Sequence, residues 1–176
     1  MKKFLIMILL LPLLLCAQEK NKLTADEKSG KQIAIGICDR TVFADTNFSW
    51  WYDSEYNNYE ASVQTLDSIK SKLENVSITI VMGTWCSDSR KHVPAFLRIL
   101  DDVKFNPAKL TLICVNRKKE AEGTNAKDLD IKFVPTLIIY KDEHEIGRIV
   151  ETPQTILEAD FKNILYGENQ KKIEHE

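Results

Sequence analysis

Short apolar runs rich in β-branched residues alternate with amphipathic stretches along most of this chain. Five of these runs predict strands: residues 32–38, 78–82, 110–115, 136–140 and 146–150. The second and third runs, ITIVM and LTLICV, are apolar enough to predict strands buried on both faces of a sheet. Five polar residues separate the last two runs, which predicts an antiparallel hairpin there.

Apolar residues at helical spacing predict three helices between and after these strands. The first follows Asn57 or Asn58, either of which can serve as its N-cap. The second begins directly after residues 85–89 (WCSDS). The third is predicted to start with Thr152 as its N-cap and Pro153 at its first helical position.

The order of these elements predicts an α/β sandwich, with a central mixed sheet flanked by helices. An N-terminal strand and helix precede the central stretch, and the second half ends in the hairpin. Residues 43–59 are unusually aromatic, which fits either a lid near a functional site or packing at the edge of the core. Aromatic clusters most often pack in the core, so packing is the preferred interpretation.

The chain begins like an export signal. Lys2 and Lys3 precede an apolar run that ends at Leu15, and this run is too short to span a bilayer comfortably. Cleavage after Ala17 is the preferred interpretation. Alternatively, Cys16 is the lipid-bearing first residue of a lipoprotein, although such processing usually requires a small residue at the position of Leu15. Either way we expect an extracytoplasmic protein, periplasmic or secreted, in a compartment where disulfides persist.

Removal of the predicted signal peptide, residues 1–17, leaves 159 residues, enough for one domain. Residues 18–31 are predicted to be a flexible leader, 32–166 the folded domain and 167–176 a polar tail. The formal net charge moves from −2 to −4, so the chain lacks the basic footprint of a nucleic-acid binder. The mature sequence offers no apolar segment long enough to cross a membrane, no metal-ligand spacing and no phosphate loop, so no cofactor is predicted.

One cysteine stands where the strand at 78–82 gives way to a helix. There Cys86 lies among unpaired backbone N–H groups, where the helix dipole favours the thiolate, the nucleophilic form of the side chain. The polar residues 87–89 argue against a buried structural cysteine. Cys114 lies inside an apolar run and is predicted to be structural. Cys38 is interpreted as a half-buried bystander, unless it pairs with Cys86 in a disulfide.

Three features resemble the thioredoxin superfamily over residues 32–166: the pair Trp85-Cys86 after a buried strand, Pro94 in the following helix, and the triplet Val134-Pro135-Thr136 before a hairpin. The resemblance implies a thioredoxin-like fold in which Cys86 attacks disulfides and Pro135 is in the cis form. It also implies that the backbone of Val134 pairs with an extended substrate segment, while Trp85 borders the groove. The implied partners are protein thiols and disulfides.

The chain departs from this family pattern at three positions. Ser89 replaces the second cysteine of the usual Cys-x-x-Cys pair, so a mixed disulfide on Cys86 must be resolved by an outside thiol, by another protein or by Cys38. Ser89 can still donate a hydrogen bond to the Cys86 thiolate. Ile80 occupies the position where many thioredoxins carry a buried acid. Glu151 occupies the position of a glycine that is usual after the last strand.

Three functional hypotheses follow. In the first, the exported protein performs single-cysteine thiol–disulfide exchange through Cys86, with Ser89 stabilising the thiolate, as an isomerase or in deglutathionylation. In the second, the fold and groove are retained as a binding module that captures a partner protein while catalysis is reduced or lost. In the third and weakest, the lone cysteine ligates a cofactor together with glutathione, as in monothiol glutaredoxins; the Trp85 context and the predicted export count against it.

Overall fold

The computed structural model describes residues 19–168, so the predicted signal peptide with Cys16 and most of the predicted polar tail lie outside the described residues. Within this span six strands form one sheet: β1 (Lys22–Ala25), β2 (Gln32–Cys38), β3 (Val76–Met82), β4 (Leu110–Cys114), β5 (Thr136–Lys141) and β6 (His144–Val150). The same span contains four α-helices: α1 (Ser49–Asn58), α2 (Val63–Lys70), α3 (Ser87–Asp102) and α4 (Leu157–Leu165). Three short 3-10 helices lie in connecting segments: Arg40–Ala44, Pro107–Lys109 and Ala126–Leu129.

The strands lie in the order β1-β2-β4-β3-β5-β6. β3 and β4 are parallel, and the other neighbouring pairs in the described part of the sheet are antiparallel. The predicted fold, a mixed α/β sheet flanked by helices, is therefore confirmed. The carboxyl ends of β3 and β4 lie side by side, with Met82 paired to Cys114. Ligand chemistry in such sheets gathers beyond the carboxyl ends of the strands.

Strand β3 is buried because both faces of the sheet are covered. Its alternate residues point to opposite layers, as strand geometry requires. Ile80 and Met82 join the larger core, whereas Val81 joins the smaller one. In the larger core the ring of Phe96 from α3 meets that of Phe161 from α4 edge to face, with centroids 5.2 Å apart. This contact fixes α3, and with it the start of α3, against the rest of the core.

Strand β1 lies inside the stretch that the sequence analysis predicts to be a flexible leader, residues 18–31, so that prediction is wrong for 22–25. The folded region begins before residue 32. β1 pairs antiparallel with β2, with Lys22 opposite Ile35 and Ala25 opposite Gln32. None of its residues is fully buried. This strand therefore forms through backbone hydrogen bonds at the sheet edge, and no apolar run in the sequence predicts it.

The sequence pattern does not predict helix α1, which occupies the aromatic stretch. Asn57 and Asn58 are its last residues, so they do not cap α2, whose N-cap is Ser62. Phe43 stacks on Tyr52 with ring centroids 4.5 Å apart. The aromatic residues that are fully buried join the larger core: Phe43, Phe48 and Trp51. This packing agrees with the preferred interpretation of the stretch.

Helix α4 begins at Leu157, with Ile156 as its N-cap, and not at the predicted Thr152 and Pro153. The carboxylate of Asp160 explains the later start. It accepts hydrogen bonds from the backbone N–H groups of Gln154 and Thr155 at 2.6 and 3.2 Å. These bonds draw the preceding segment into a loop, where the sequence pattern suggested a first helical turn.

Candidate functional site

Cys86 is the N-cap residue of α3 and has extended backbone angles, φ −91° and ψ 131°. Its side chain is partly exposed. The thiol donates a hydrogen bond to the carbonyl oxygen of Val134 at 3.2 Å, and its sulfur lies 4.0 Å from Oδ2 of Asp88. The structure thus brings together Cys86 at the helix N-terminus and the loop that contains Pro135.

The peptide bond between Val134 and Pro135 is cis, as the resemblance implies. Pro135 directly precedes β5, and its carbonyl oxygen accepts a hydrogen bond of 2.7 Å from the backbone N–H of Glu151. Glu151 has φ of 61°, in the left-handed region that favours glycine. This backbone conformation accounts for the glycine that related chains usually carry at the position.

Ser89 takes a different part from the one predicted. Its side chain is fully buried, and Oγ accepts a hydrogen bond from the backbone N–H of Gly83 at 3.2 Å. Within residues 19–168 no hydrogen bond joins Ser89 to Cys86, whose thiol is instead directed to Val134. Ser89 therefore holds the turn between β3 and α3, and the expected contact with the cysteine is absent from this structure.

Trp85 is half-buried, and its ring is tightly confined. Nε1 donates a hydrogen bond of 2.9 Å to the carbonyl oxygen of Val115, directly after β4. Gly83 lies so close to the ring that a Cβ atom there would come within 2.5 Å of Cε2. The guanidinium carbon of Arg117 lies 4.7 Å from the ring centroid, within the range of a cation–π interaction.

Arg117 belongs to an ion pair that the sequence analysis did not single out. Its Nε and one terminal nitrogen bind the two carboxylate oxygens of Asp26 at 2.8 and 2.9 Å. Asp26, in the turn between β1 and β2, has a side chain only 1% exposed and also accepts hydrogen bonds from the N–H and hydroxyl of Ser29. The hydrogen bond from Arg117, followed by that from Ser29, holds the pKa of Asp26 well below its usual range.

The pKa of Arg117 is raised, chiefly by its hydrogen bond to Asp26, and negative charge on Cys86 is a smaller cause. Arg117 and Asp26 are 91 positions apart in sequence. No periodicity or motif links residues at that distance, so only the folded structure reveals that they meet beside the cysteine.

The other two described cysteines are buried, and neither lies at the site. The backbone N–H of Ala34 in β2 donates to Oγ1 of Thr84 at 3.1 Å, which places this end of β2 near the site. Cys38 lies four residues further along, about 13 Å away at the usual rise of a strand. Its thiol interacts with that of Cys114 in β4; this interaction, followed by burial, raises the pKa of Cys114. Cys38 is therefore not placed to resolve a mixed disulfide on Cys86.

Among residues 19–168, no cluster of three or more His, Cys, Asp or Glu side chains could hold a metal ion. No helix in that part of the chain is long and apolar enough to cross a membrane. Ile80, at the position where many thioredoxins carry a buried acid, is fully buried in the larger core.

Comparisons with known proteins agree with this geometry. The profile of the family described as Thioredoxin matches residues 49–163. Thioredoxin Asp f 29 of Aspergillus fumigatus is 27% identical over 96 residues, which cover 53% of this chain and 84% of that protein.

Two examples illustrate the solved structures that are similar to this chain. A protein of unknown function from Pseudomonas aeruginosa aligns with a TM-score of 0.43 and 13% identity, over 70% of this chain and 82% of that one. Oxidized thioredoxin O2 of Arabidopsis thaliana aligns with a TM-score of 0.37 and 20% identity, over 61% of this chain and 90% of that one.

The family profile spans well over half of the chain, from α1 to α4, and includes both Cys86 and the loop of Pro135. The sheet order and the cis peptide bond fit the same assignment. This combination suggests a thiol–disulfide redox function. The chain belongs to the thioredoxin family.

Proposed function

We propose that this protein is exported and carries out thiol–disulfide exchange with a single cysteine, Cys86. The observation that carries the proposal is the position of the Cys86 sulfur. It is partly exposed at the N-terminus of α3 and lies 3.2 Å from the carbonyl oxygen of Val134, beside the cis proline. A thiolate formed there is reachable by a substrate disulfide and faces the backbone against which the substrate would lie.

In the first step the Cys86 thiolate attacks one sulfur of a substrate disulfide. The substrate S–S bond breaks, a new S–S bond joins Cys86 to the substrate, and the departing sulfur leaves as a thiolate that takes a proton from water. One disulfide replaces another, so the step involves no net oxidation or reduction.

The second step needs a thiol from outside this chain. Ser89 has no sulfur, and Cys38 is buried four residues along β2 from Ala34, about 13 Å at the usual rise of a strand. If the resolving thiol belongs to the same substrate, Cys86 leaves as a thiolate and the net result is a rearranged disulfide. If a small thiol such as glutathione resolves the intermediate, the mixed disulfide passes to that thiol, which fits deglutathionylation.

Val134 precedes β5, so its backbone lies outside the pairing of β5 with β3 and β6. An extended substrate segment can therefore add to this backbone as a short extra strand, the mode of recognition known as β-augmentation. Trp85 would border the segment, because its ring is fixed next to Cys86 by the hydrogen bond to Val115.

Refolding of a scrambled-disulfide ribonuclease in a glutathione buffer tests the exchange reaction. The wild-type chain without residues 1–17 should accelerate recovery of ribonuclease activity, and Cys86→Ser should abolish the acceleration. Cys38→Ala is the matched control, because it removes a thiol remote from the site. Equal loss in both variants, or no acceleration by the wild type, would contradict the proposal.

A binding module is the second candidate. The full burial of Ile80 at the acid position and the engagement of Ser89 with Gly83 favour it, since neither side chain can assist a proton transfer at Cys86. A chain that forms a stable mixed disulfide through Cys86, seen by mass spectrometry, and shows no turnover in the ribonuclease assay would support this function over exchange catalysis.

Export has a separate test. Expression of the full chain in a bacterial host should give a periplasmic or secreted protein whose N-terminus is residue 18, as determined by mass spectrometry. A product that carries lipid on Cys16 would support membrane anchorage instead. Retention of an unprocessed chain in the cytoplasm would contradict the proposal of export.

A further inference from the structure

A chain of contacts links the turn between β1 and β2 to the reactive cysteine. Asp26 binds the guanidinium of Arg117 through two hydrogen bonds, and that guanidinium covers the ring of Trp85, the residue before Cys86. These residues come from three separate parts of the chain. Neither the family motif nor the hydrogen bond from Cys86 to Val134 accounts for this arrangement.

We propose that Arg117, oriented by Asp26, is a positioning residue for Cys86: it fixes the Trp85 ring beside the thiol and supplies positive charge that favours the thiolate. The inference rests on the proposed thiol–disulfide exchange through Cys86. It adds that residues outside the motif, in the β1–β2 turn and after β4, set the reactivity of that thiol.

Asp26 is suited to orient Arg117 because its own position is rigid. Its carboxylate is almost fully buried and also accepts two hydrogen bonds from Ser29, one from the backbone N–H at 3.0 Å and one from the hydroxyl at 2.6 Å. Two parallel N–H donors of Arg117 meet its two oxygens, a geometry that fixes the plane of the guanidinium as well as its distance. Lysine could not reproduce that plane.

Arg117 nevertheless remains available to the site. Its side chain is 33% exposed, and its second terminal nitrogen has no hydrogen-bond partner among residues 19–168. Negative charge on Cys86 contributes to the raised pKa of Arg117, after the larger effect of Asp26. The guanidinium thus lies over the indole ring of the residue that directly precedes Cys86.

Two other charged groups face this region from α3, and they do not supply the same effect. Asp88 Oδ2 lies 4.0 Å from the Cys86 sulfur and places a carboxylate beside the thiol. The guanidinium of Arg90 donates through Nε to the carbonyl oxygen of Thr84 at 2.7 Å, and its carbon lies 6.0 Å from the ring centroid of Trp51. Arg117 is therefore the cation that lies over the Trp85 ring.

A chemically similar pair elsewhere in the chain provides a matched control. Arg40 binds both oxygens of Asp101 at 2.6 and 2.7 Å, and its guanidinium carbon lies 5.7 Å from the ring centroid of Tyr56. Asp101 lies near the far end of α3, about 20 Å from Cys86 at 1.5 Å per residue. Arg40→Gln thus removes an arginine–carboxylate pair with an aromatic neighbour without touching the site.

The test measures the rate at which iodoacetamide alkylates Cys86 as a function of pH, with the modified peptide quantified by mass spectrometry. In Arg117→Gln we expect the pH of half-maximal rate to rise by about half a unit, which is about threefold less thiolate below that pH. Arg117→Lys, which keeps the charge, should recover part of this shift. Arg40→Gln should leave the profile unchanged. An unchanged profile in Arg117→Gln, or an equal shift in Arg40→Gln, would overturn the proposal.

The role of Asp26 is tested by the same profile in two backgrounds. Asp26→Asn should shift the profile in the otherwise wild-type chain, and the shift should disappear in the Arg117→Gln background, because Asp26 acts through Arg117. Arg117→Gln alone leaves the buried carboxylate of Asp26 without its ion-pair partner, and the double variant replaces that carboxylate by an amide. Circular dichroism reports whether each variant is folded. Equal shifts in both backgrounds, or none in either, would refute the positioning role.

These outcomes are separable from the proposed function, because alkylation requires no substrate disulfide. A wild-type chain without exchange activity would defeat the proposed function, yet the alkylation profiles would still decide the role of Arg117. Conversely, an active wild type with identical profiles in all variants would defeat this inference alone.

Discussion

Gly83→Ala is the substitution that most directly tests how the site is packed. The new Cβ would lie 2.5 Å from Cε2, 2.6 Å from Nε1 and 2.9 Å from Cζ2 of Trp85. The shortest of these distances is about 0.9 Å less than an ordinary contact of 3.4 Å. The Trp85 ring must therefore move, because its Nε1 atom is among those that clash.

The cost of that movement has two parts. Displacement of Nε1 breaks the 2.9 Å hydrogen bond to Val115, worth about 0.5–1.5 kcal/mol. Overpacking by one methyl group typically costs about 1–3 kcal/mol. The free energy of unfolding should therefore fall by about 2–4 kcal/mol in Gly83→Ala, as measured by urea denaturation.

Trp85→Phe supplies the control, because it removes the indole atoms that clash. Gly83→Ala should cost markedly less in the Trp85→Phe background than in the wild type, which is the non-additivity expected for residues in contact. A loss below about 0.5 kcal/mol in Gly83→Ala, the range of neutral surface changes, or strict additivity of the two substitutions would refute the packing argument.

Three further predictions concern stability. The pKa of Asp26 is lowered in the folded state, so its ion pair stabilises the fold fully at pH values above the unfolded-state pKa of about 3.9. This stabilisation is lost as the pH falls below that value. The difference in Tm between wild type and Asp26→Asn should therefore narrow between about pH 5 and pH 2. Phe161→Ala should cost about 3–5 kcal/mol in urea denaturation, whereas Phe133→Ala, at a side chain 53% exposed, should cost under about 0.5 kcal/mol. Asp160→Ala should cost about 1–3 kcal/mol in the same assay, since it leaves backbone N–H groups before α4 without their acceptor.

The central part of the fold is predictable because strands that are buried on both faces have nearly continuous apolar sequences. Residues 78–82 and 110–115 consist of apolar side chains with few interruptions, and both are strands in the structure. The cysteine at the following helix start and the cis proline also match, since each depends on local backbone geometry that the motif encodes.

The elements that the sequence does not predict depend on contacts between distant residues. β1 has four residues, of which Leu23 alone is partly buried, and it forms because β2 offers an edge. The start of α4 is set by the carboxylate of Asp160, several residues beyond the predicted cap. The place of Ser89 in the motif predicts a hydrogen bond to the thiolate, but its Oγ accepts one from the backbone N–H of Gly83. Side-chain direction is decided by packing, which a motif does not record.

The position of β1 and β2 at one edge of the sheet has a practical consequence for protein production. The family match begins at residue 49, after both strands, so an expression boundary drawn there would discard them. The truncated product would leave β4 with a bare edge, and such edges invite intermolecular strand pairing and aggregation. Precipitation of such a fragment would therefore reflect the loss of β1 and β2 and not the chemistry of the cysteine.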